Sequence, residues 1–292
     1  MGADSGPGAP AAAPWRKVLY GRQPYPDNYV DRRFLAELRR NVGVQQLRYW
    51  SVAREAGLVG QQVSCVAVFV ALWSSLDGGA LPPAALLWGG LLAALLGYGL
   101  HGALGGGTGG RTRWADLQSA AIFLAFTFGF SPVLKTLTES VSTDTVYAMS
   151  ALMLLAHLLF FPYARPSPPG SLSLNAALFG SVCLASRLPG ALHAFAMLTW
   201  ALLLFALWPC LLQRLRDRAP RAFPWAAALV SLAGVGGLSG LWPGGSVLLL
   251  LTLLALTLAC PLLLVRLQRH KDNIHGPWDE AEIREDLSRF LD

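Results

Sequence analysis

Lys135, Glu139 and Asp144 are the residues of this chain with the types and spacing to do chemistry. Six hydroxyl side chains accompany them between Thr136 and Thr145, and the apolar runs Ala120–Ala125 and Ala151–Phe161 flank the segment. Polar groups at or near membrane depth are expensive, so a chain that keeps them there usually needs them. Lys135 and Glu139 are four residues apart and can pair on one helical turn, although Lys before Glu is the weaker order. Ser142 or Asp144 can cap the helix that follows. The segment therefore has three readings: a self-satisfied polar hairpin between two short helices, a proton- or substrate-handling site, or a contact with a partner protein or lipid. The spacing favours the hairpin.

Other chemistry is hard to find. The sequence contains no DxD pair to hold a metal and a nucleotide-sugar diphosphate, and no HExxH or GxSxG motif. His157 and His193 lie in apolar runs with no carboxylate within one helical turn. Cys65, Cys183, Cys210 and Cys260 share no metal-ligand spacing and read as small buried residues rather than as disulfides or a zinc site. The residues call for no catalytic group, cofactor or metal.

The elements that must position these residues are membrane spans. Only 14% of the 292 residues are charged and the mean hydropathy is +0.45, against about 25% charged in soluble domains. The apolar blocks approach the ~20 residues that cross a bilayer. They predict an all-α polytopic membrane protein of about eight spans: 56–75, 81–103, 119–134, 146–162, 172–188, 191–212, 224–241 and 246–265. The shortest, 119–134, and the segment 172–188, with Asn175 and Arg187, are the weakest of these. Residues 1–14, small and proline-rich, read as a disordered start. Residues 15–55 form a cytosolic segment, 56–265 the transmembrane domain and 266–292 a cytosolic tail. No cleavable signal is expected, because the first apolar block begins only near Ala56.

Charge orients the spans. With both termini and every second loop in the cytosol, nine Lys and Arg fall in the N-terminal region and five in the tail. Arg111, Arg113, Arg165, Arg214, Arg216, Arg218 and Arg221 fall in the cytosolic loops. That places 21 of the 23 basic residues inside, with Lys135 and Arg187 outside, as the positive-inside rule requires. Attraction to anionic lipid follows; a nucleic-acid partner does not, since no basic folded domain exists to hold one.

Small residues at four-residue spacing suggest packing faces: Ala85, Gly89, Ala93 and Gly97 in the second span, Gly236 and Gly240 in the seventh. These serve within this chain or against another. In 17–41 a helical run puts Tyr29, Phe34, Leu35 and Leu38 near one face, opposite Arg32, Arg33, Arg39 and Arg40. The tail can begin a helix at Pro277 with an apolar stripe of Ile283 and Leu287. Both ends therefore read as short amphipathic helices that dock on a membrane surface or a partner, with Tyr29, Phe34, Leu38, Trp278, Ile283 and Leu287 as the docking residues.

KVLYGRQPYPDNYVDRRFLAELRRN (17–41), TRWADLQSA (112–120), FTFGFSPVLKTLTESVSTDTVYAMS (126–150), SLSLNAALFGSVCLASRLP (171–189) and NIHGPWDEAEIREDLSRFL (273–291) resemble one family. It is the family of C subunits of phosphatidylinositol N-acetylglucosaminyltransferase. The similarity runs from about Trp15 to the C-terminus and departs in the glycine-rich 104–113 loop and in 219–245. The resemblance implies a non-catalytic member of an endoplasmic reticulum complex that begins glycosylphosphatidylinositol anchor synthesis. That complex transfers N-acetylglucosamine from UDP-N-acetylglucosamine to phosphatidylinositol on the cytosolic face. Catalysis is implied for the A subunit, with the accessory H, P, Q and Y subunits and a regulatory dolichol-phosphate-mannose synthase subunit as further partners. Beside that role, Arg111, Arg113 and Trp114 at the cytosolic interface are candidates for holding the lipid headgroup, and topology anchoring is their plainer reading. Lys135, Glu139 and Asp144 then serve assembly. The alternative class is a transporter or lipid flippase working through Lys135–Asp144.

Overall fold

In a medium without water, a chain can satisfy its backbone polar groups only within itself, so the apolar blocks become helices. The computed structural model describes residues 22–26, 29, 39–41, 46–105, 112–137, 140–163, 170–271 and 274–275. The helices are α1 (Tyr49–Asp77), α2 (Pro83–Ala103), α3 (Arg113–Leu137), α4 (Thr143–Phe160), α5 (Ser171–Ala185), α6 (Ala191–Arg218), α7 (Phe223–Leu241) and α8 (Pro243–Gln268). All but α5 are long and apolar enough to cross a membrane, which makes seven such helices among the described residues.

Two segments differ from their predicted bounds. The segment 119–134 lengthens to α3, because its polar flanks continue the helix at both ends. The segment 172–188 shortens to the 15 residues of α5, about 22 Å of helix, less than the ~30 Å hydrocarbon thickness. Gly170 precedes it and Ser186–Gly190 turn the chain after it. With its flanks, this segment still runs antiparallel along the length of α4. Ser173 meets His157, Gly180 meets Ser150 and Leu154, and Arg187 donates to the Val141 carbonyl.

Pairwise contacts of this kind show that all eight helices alternate in direction. α1 and α7 run parallel, Ser64 against Ser231 and Ala71 against Gly237. α2 and α6 run parallel, Leu86 against Trp200 and Gly97 against Leu211. α3 opposes α6 through Phe128–Phe195, and α8 opposes α1 through Thr257 at Gly60. The start of α1 and the end of α8 therefore lie at one end of the bundle. The core between them is built on Phe69, Phe205, Met197, Leu188 and Ala177.

The described residues fall into two units, those of 47–266 and those of 1–46 with 267–292. In the second unit, β1 (Arg39–Arg40) pairs antiparallel with β2 (Ile274–His275), Arg39 opposite His275 and Arg40 opposite Ile274. The helical pattern that reached Arg39 and Arg40 therefore gives way to strand there. Asn41 follows in the left-handed region at φ 56°, which asparagine tolerates, and this ends the strand after two residues. Tyr29 lies in a turn closed by its N–H on the Pro26 carbonyl at 2.9 Å, with its ring 4.3 Å from that of Tyr25. Phe34, Leu38, Trp278, Ile283 and Leu287 lie outside the described residues.

The tightest approach of α4 and α5 is at Gly180, where a Cβ would stand 3.2 Å from the Ser150 carbonyl and 3.3 Å from Leu154 Cγ. Gly180→Leu should destabilise the detergent-solubilised protein by about 1–3 kcal/mol through overpacking. Gly236→Leu, with nothing within 4 Å, should stay within about 0.5 kcal/mol. Thermal unfolding of both variants decides it, and equal midpoints would refute the close approach at Gly180.

Candidate functional site

The polar cluster Gln61, Gln62 and Ser64 interrupts the apolar run of α1, and all three are buried. Buried polar groups need hydrogen bonds, and two of these side chains find them on neighbouring helices. With its amide turned to satisfy both ends, Gln61 donates to the Ala227 carbonyl at 3.2 Å and accepts from Trp208 Nε1 at 3.1 Å. Ser64 Oγ bonds the Gly60 carbonyl at 2.8 Å and Ser231 Oγ at 3.0 Å. Gln62 is the exception: it is 2% exposed, and its Oε1 has no partner among the described residues.

Gln62 lines a cleft of about 140 Å³ with Leu58 of α1, Phe161–Tyr163 beyond α4, and Pro209, Leu212, Gln213, Arg216 and Asp217 of α6. Local chemistry shapes each wall. Pro209 lacks an N–H and its ring collides with the carbonyl four residues earlier, and α6 accommodates it by a π-helical segment at Leu203–Leu207. That segment carries Phe205 against His157, ring centroids 5.0 Å apart, and His157 in turn faces Phe161. Ser173 Oγ holds His157 Nδ1 at 2.8 Å, while His157 Nε2 has no partner among the described residues. Tyr163 donates from its hydroxyl to the Leu158 carbonyl at 2.7 Å. Burial pushes its phenol up from 10.0 to about 12. Arg216 donates to Glu55 of α1. Both side chains are about half-exposed, so the pair orients the guanidinium more than it stabilises the fold.

The residues singled out by sequence are distributed differently. Arg113 and Trp114 are exposed at the start of α3, at the same end of the bundle, and neither lines the cleft; Arg111 lies outside the described residues. Asp116 of that turn accepts from Tyr98 of α2 at 3.2 Å. At the opposite end Lys135 lies in the last turn of α3, Glu139 lies outside the described residues, and Asp144 is exposed in the first turn of α4. The cap there is Ser142, whose Oγ accepts from Thr145 N at 3.3 Å.

The packing glycines are offset from the expected stripes. A Cβ at Gly89 or Gly97 would stand 3.8 Å from Trp200 or Leu211, Ala93 is exposed, and the closer approach is at Gly90, where a Cβ would stand 3.1 Å from Trp200 Nε1. Gly236 and Gly240 meet nothing within 4 Å, whereas a Cβ at Gly234 would stand 3.3 Å from the Ser64 carbonyl and one at Gly237 2.9 Å from Ala71 Cβ. The cleft residues are not apparent from sequence because they come from three distant segments. Two signals for them are present: a Gln–Gln pair inside an apolar run, and Pro209 inside another.

Comparison with known proteins gives the context. A family model described as phosphatidylinositol N-acetylglucosaminyltransferase matches residues 15–279. The C subunit of the human phosphatidylinositol N-acetylglucosaminyltransferase is 55% identical over 283 residues, covering 95% of each chain. A Dictyostelium discoideum protein named as the putative C subunit of the same transferase is 33% identical, covering 92% of this chain and 79% of that one. A Schizosaccharomyces pombe protein, named the GPI2 subunit of this transferase, is 32% identical over 92% of this chain and 86% of its own. No solved structure matches.

The wall at Tyr163 can be checked by alkaline titration. The fold favours the neutral phenol, so its contribution to stability is whole below pH 10, the ordinary value, and is lost as the pH rises through about 12. Tyr163→Phe should remove a tyrosinate absorbance component that appears only near pH 12. A titration complete near pH 10 in the unsubstituted protein would contradict the buried wall.

Proposed function

The chain belongs to the phosphatidylinositol N-acetylglucosaminyltransferase family, and from that membership we propose that it is the non-catalytic C subunit of the transferase complex. In this reading it scaffolds the complex in the endoplasmic reticulum membrane and presents phosphatidylinositol to the catalytic A subunit. The observation that carries it is the 55% identity to a protein named as the C subunit over 95% of both chains. A match of that extent covers the bundle and both ends together.

The physical features support the same reading. The outer faces of α2, α3, α7 and α8 expose large apolar side chains such as Trp88, Phe128, Trp225 and Leu251, which need lipid or partner helices against them. The alternation of helices puts both ends of the bundle sequence at the end where Arg113, Arg214, Arg216, Arg218 and Arg221 collect. Positive charge of that density favours the cytosolic face, which is where this reading puts glycosyl transfer. The far end, with Lys135, Glu139 and Asp144, then faces the lumen as a polar hairpin that serves assembly. Ala93, Gly236 and Gly240 offer open small-residue positions to the H, P, Q and Y subunits or to the regulatory dolichol-phosphate-mannose synthase subunit, while Gly89 and Gly97 pack within the chain.

Two measurements test the assignment together. The purified chain alone should transfer no N-acetylglucosamine from UDP-N-acetylglucosamine to phosphatidylinositol, while a tagged chain expressed in cells should retain the A subunit through mild-detergent purification. Transfer by the chain alone would overturn the non-catalytic role, and recovery without the A subunit would overturn the scaffold.

A further inference from the structure

Three features of the cleft bear on what it takes. Gln62 Oε1 is a buried acceptor with no donor among the described residues, a condition that favours a ligand that brings one. Asp217 adds acceptor oxygens to the lining, and Arg216 adds a guanidinium that gives one N–H to Glu55 and has five in all. Of the remaining lining residues, Leu58, Phe161, Pro162, Pro209 and Leu212 are apolar, while Tyr163 and Gln213 add polar groups. A ligand that fits brings hydroxyl donors to Gln62 and Asp217, an anion to Arg216, and an apolar neighbour to the rest. The volume of about 140 Å³ is many times the roughly 10–15 Å³ that admits one water, so a ring-sized headgroup enters while acyl chains stay outside.

We propose that this cleft is a lipid headgroup site that takes a phosphate-bearing polyol, with Arg216 on the phosphate and Gln62 and Asp217 accepting from the ring hydroxyls. The proposal rests on the reading that this chain presents phosphatidylinositol, and it locates the act at α1, α6 and Phe161–Tyr163 rather than at Arg111, Arg113 and Trp114. The guanidinium suits the phosphate because its fork matches two oxygens at once. Gln62 and Asp217 give selectivity for the polyol, because a site built to accept hydroxyl hydrogens discriminates against ligands that lack them. A lipid with a bare phosphate headgroup satisfies Arg216 and leaves Gln62 without a donor.

The test uses the assembled complex in phosphatidylcholine nanodiscs and a phosphatidylinositol probe carrying a diazirine beside the glycerol. Photo-cross-links on this chain are mapped by peptide mass spectrometry. Cross-links should fall within 161–163 and 209–217, and dioctanoyl phosphatidylinositol should compete for them more strongly than dioctanoyl phosphatidic acid or soluble inositol 1-phosphate. Gln62→Met should weaken competition by dioctanoyl phosphatidylinositol about tenfold, the worth of one hydrogen bond, and leave phosphatidic acid unchanged. Its thermal midpoint should be equal or higher, since the substitution removes an unpartnered acceptor. Arg216→Gln should weaken competition by both lipids. Cross-links on this chain at Arg113 and Trp114 instead, or full competition in both variants, would overturn the cleft and leave lipid presentation standing. Equal competition by inositol 1-phosphate would overturn the lipid source. Cross-links on partner proteins alone would overturn lipid presentation by this chain.

Discussion

Hydrocarbon offers no hydrogen-bond partner, so the polar atoms inside this bundle are driven to pair with one another, and that constraint arranges the helices. One solution recurs at several contacts: a side-chain donor reaches the backbone carbonyl of a neighbouring helix. Trp73 Nε1 bonds the Leu184 carbonyl at 2.8 Å, tying α1 to α5, and Trp200 Nε1 bonds the Leu86 carbonyl at 2.8 Å, tying α6 to α2. Ser131 donates to the Ala191 carbonyl between α3 and α6. A helical carbonyl keeps a second lone pair after its own i→i−4 bond, so these ties cost the acceptor helix nothing. They also fix register in a way that apolar contact against lipid-like side chains cannot.

The glycines follow from those ties. Once Trp200 reaches the Leu86 carbonyl, its indole must lie against α2, and Gly90 is where it fits. Once Ser64 faces Ser231, α1 and α7 approach within the reach of Gly234 and Gly237. Proline acts on the same logic from within a helix. Pro209 and Pro261 each follow a π-helical segment, Leu203–Leu207 and Ala255–Ala259, in which the carbonyl that the ring would strike is moved aside. The first of these segments delivers Phe205 to the core with Phe69 and His157, so a local backbone adjustment becomes a packing feature.

What the sequence made legible is the part governed by composition. Eight apolar blocks became eight helices, and only 172–188 fell short of a full span in helical length. The start of α4 at a hydroxyl cap was readable because Ser142 stands where a cap must. Which small residues pack was not readable: Gly89, Gly90 and Gly97 all lie on one apolar helix, and the partner helix's tryptophan, not the stripe, selects among them. The β1–β2 pair was also hidden, since two residues of strand carry no period and their partners lie at the opposite end of the sequence. The cleft was hidden for a related reason. Leu58, Tyr163 and Asp217 become neighbours only after α1, α4 and α6 have packed.

The number of polar residues in a segment is therefore a poor guide to where a membrane protein acts. The Lys135–Thr145 segment has the densest polar sequence inside the bundle, yet three of its described hydroxyls are engaged locally. Thr136 bonds the Val133 carbonyl at 2.9 Å, Ser142 and Thr145 bond each other at 2.7 Å, and Arg187 closes on the Val141 carbonyl. Such a set holds a turn. At the other end one amide is buried with its acceptor unmet beside a cavity. An unmet group in a low-dielectric site binds a donor more strongly than a satisfied one can, because binding there exchanges no existing hydrogen bond. The residue to follow is accordingly Gln62, which the sequence marks only as one of two adjacent amides inside an apolar run.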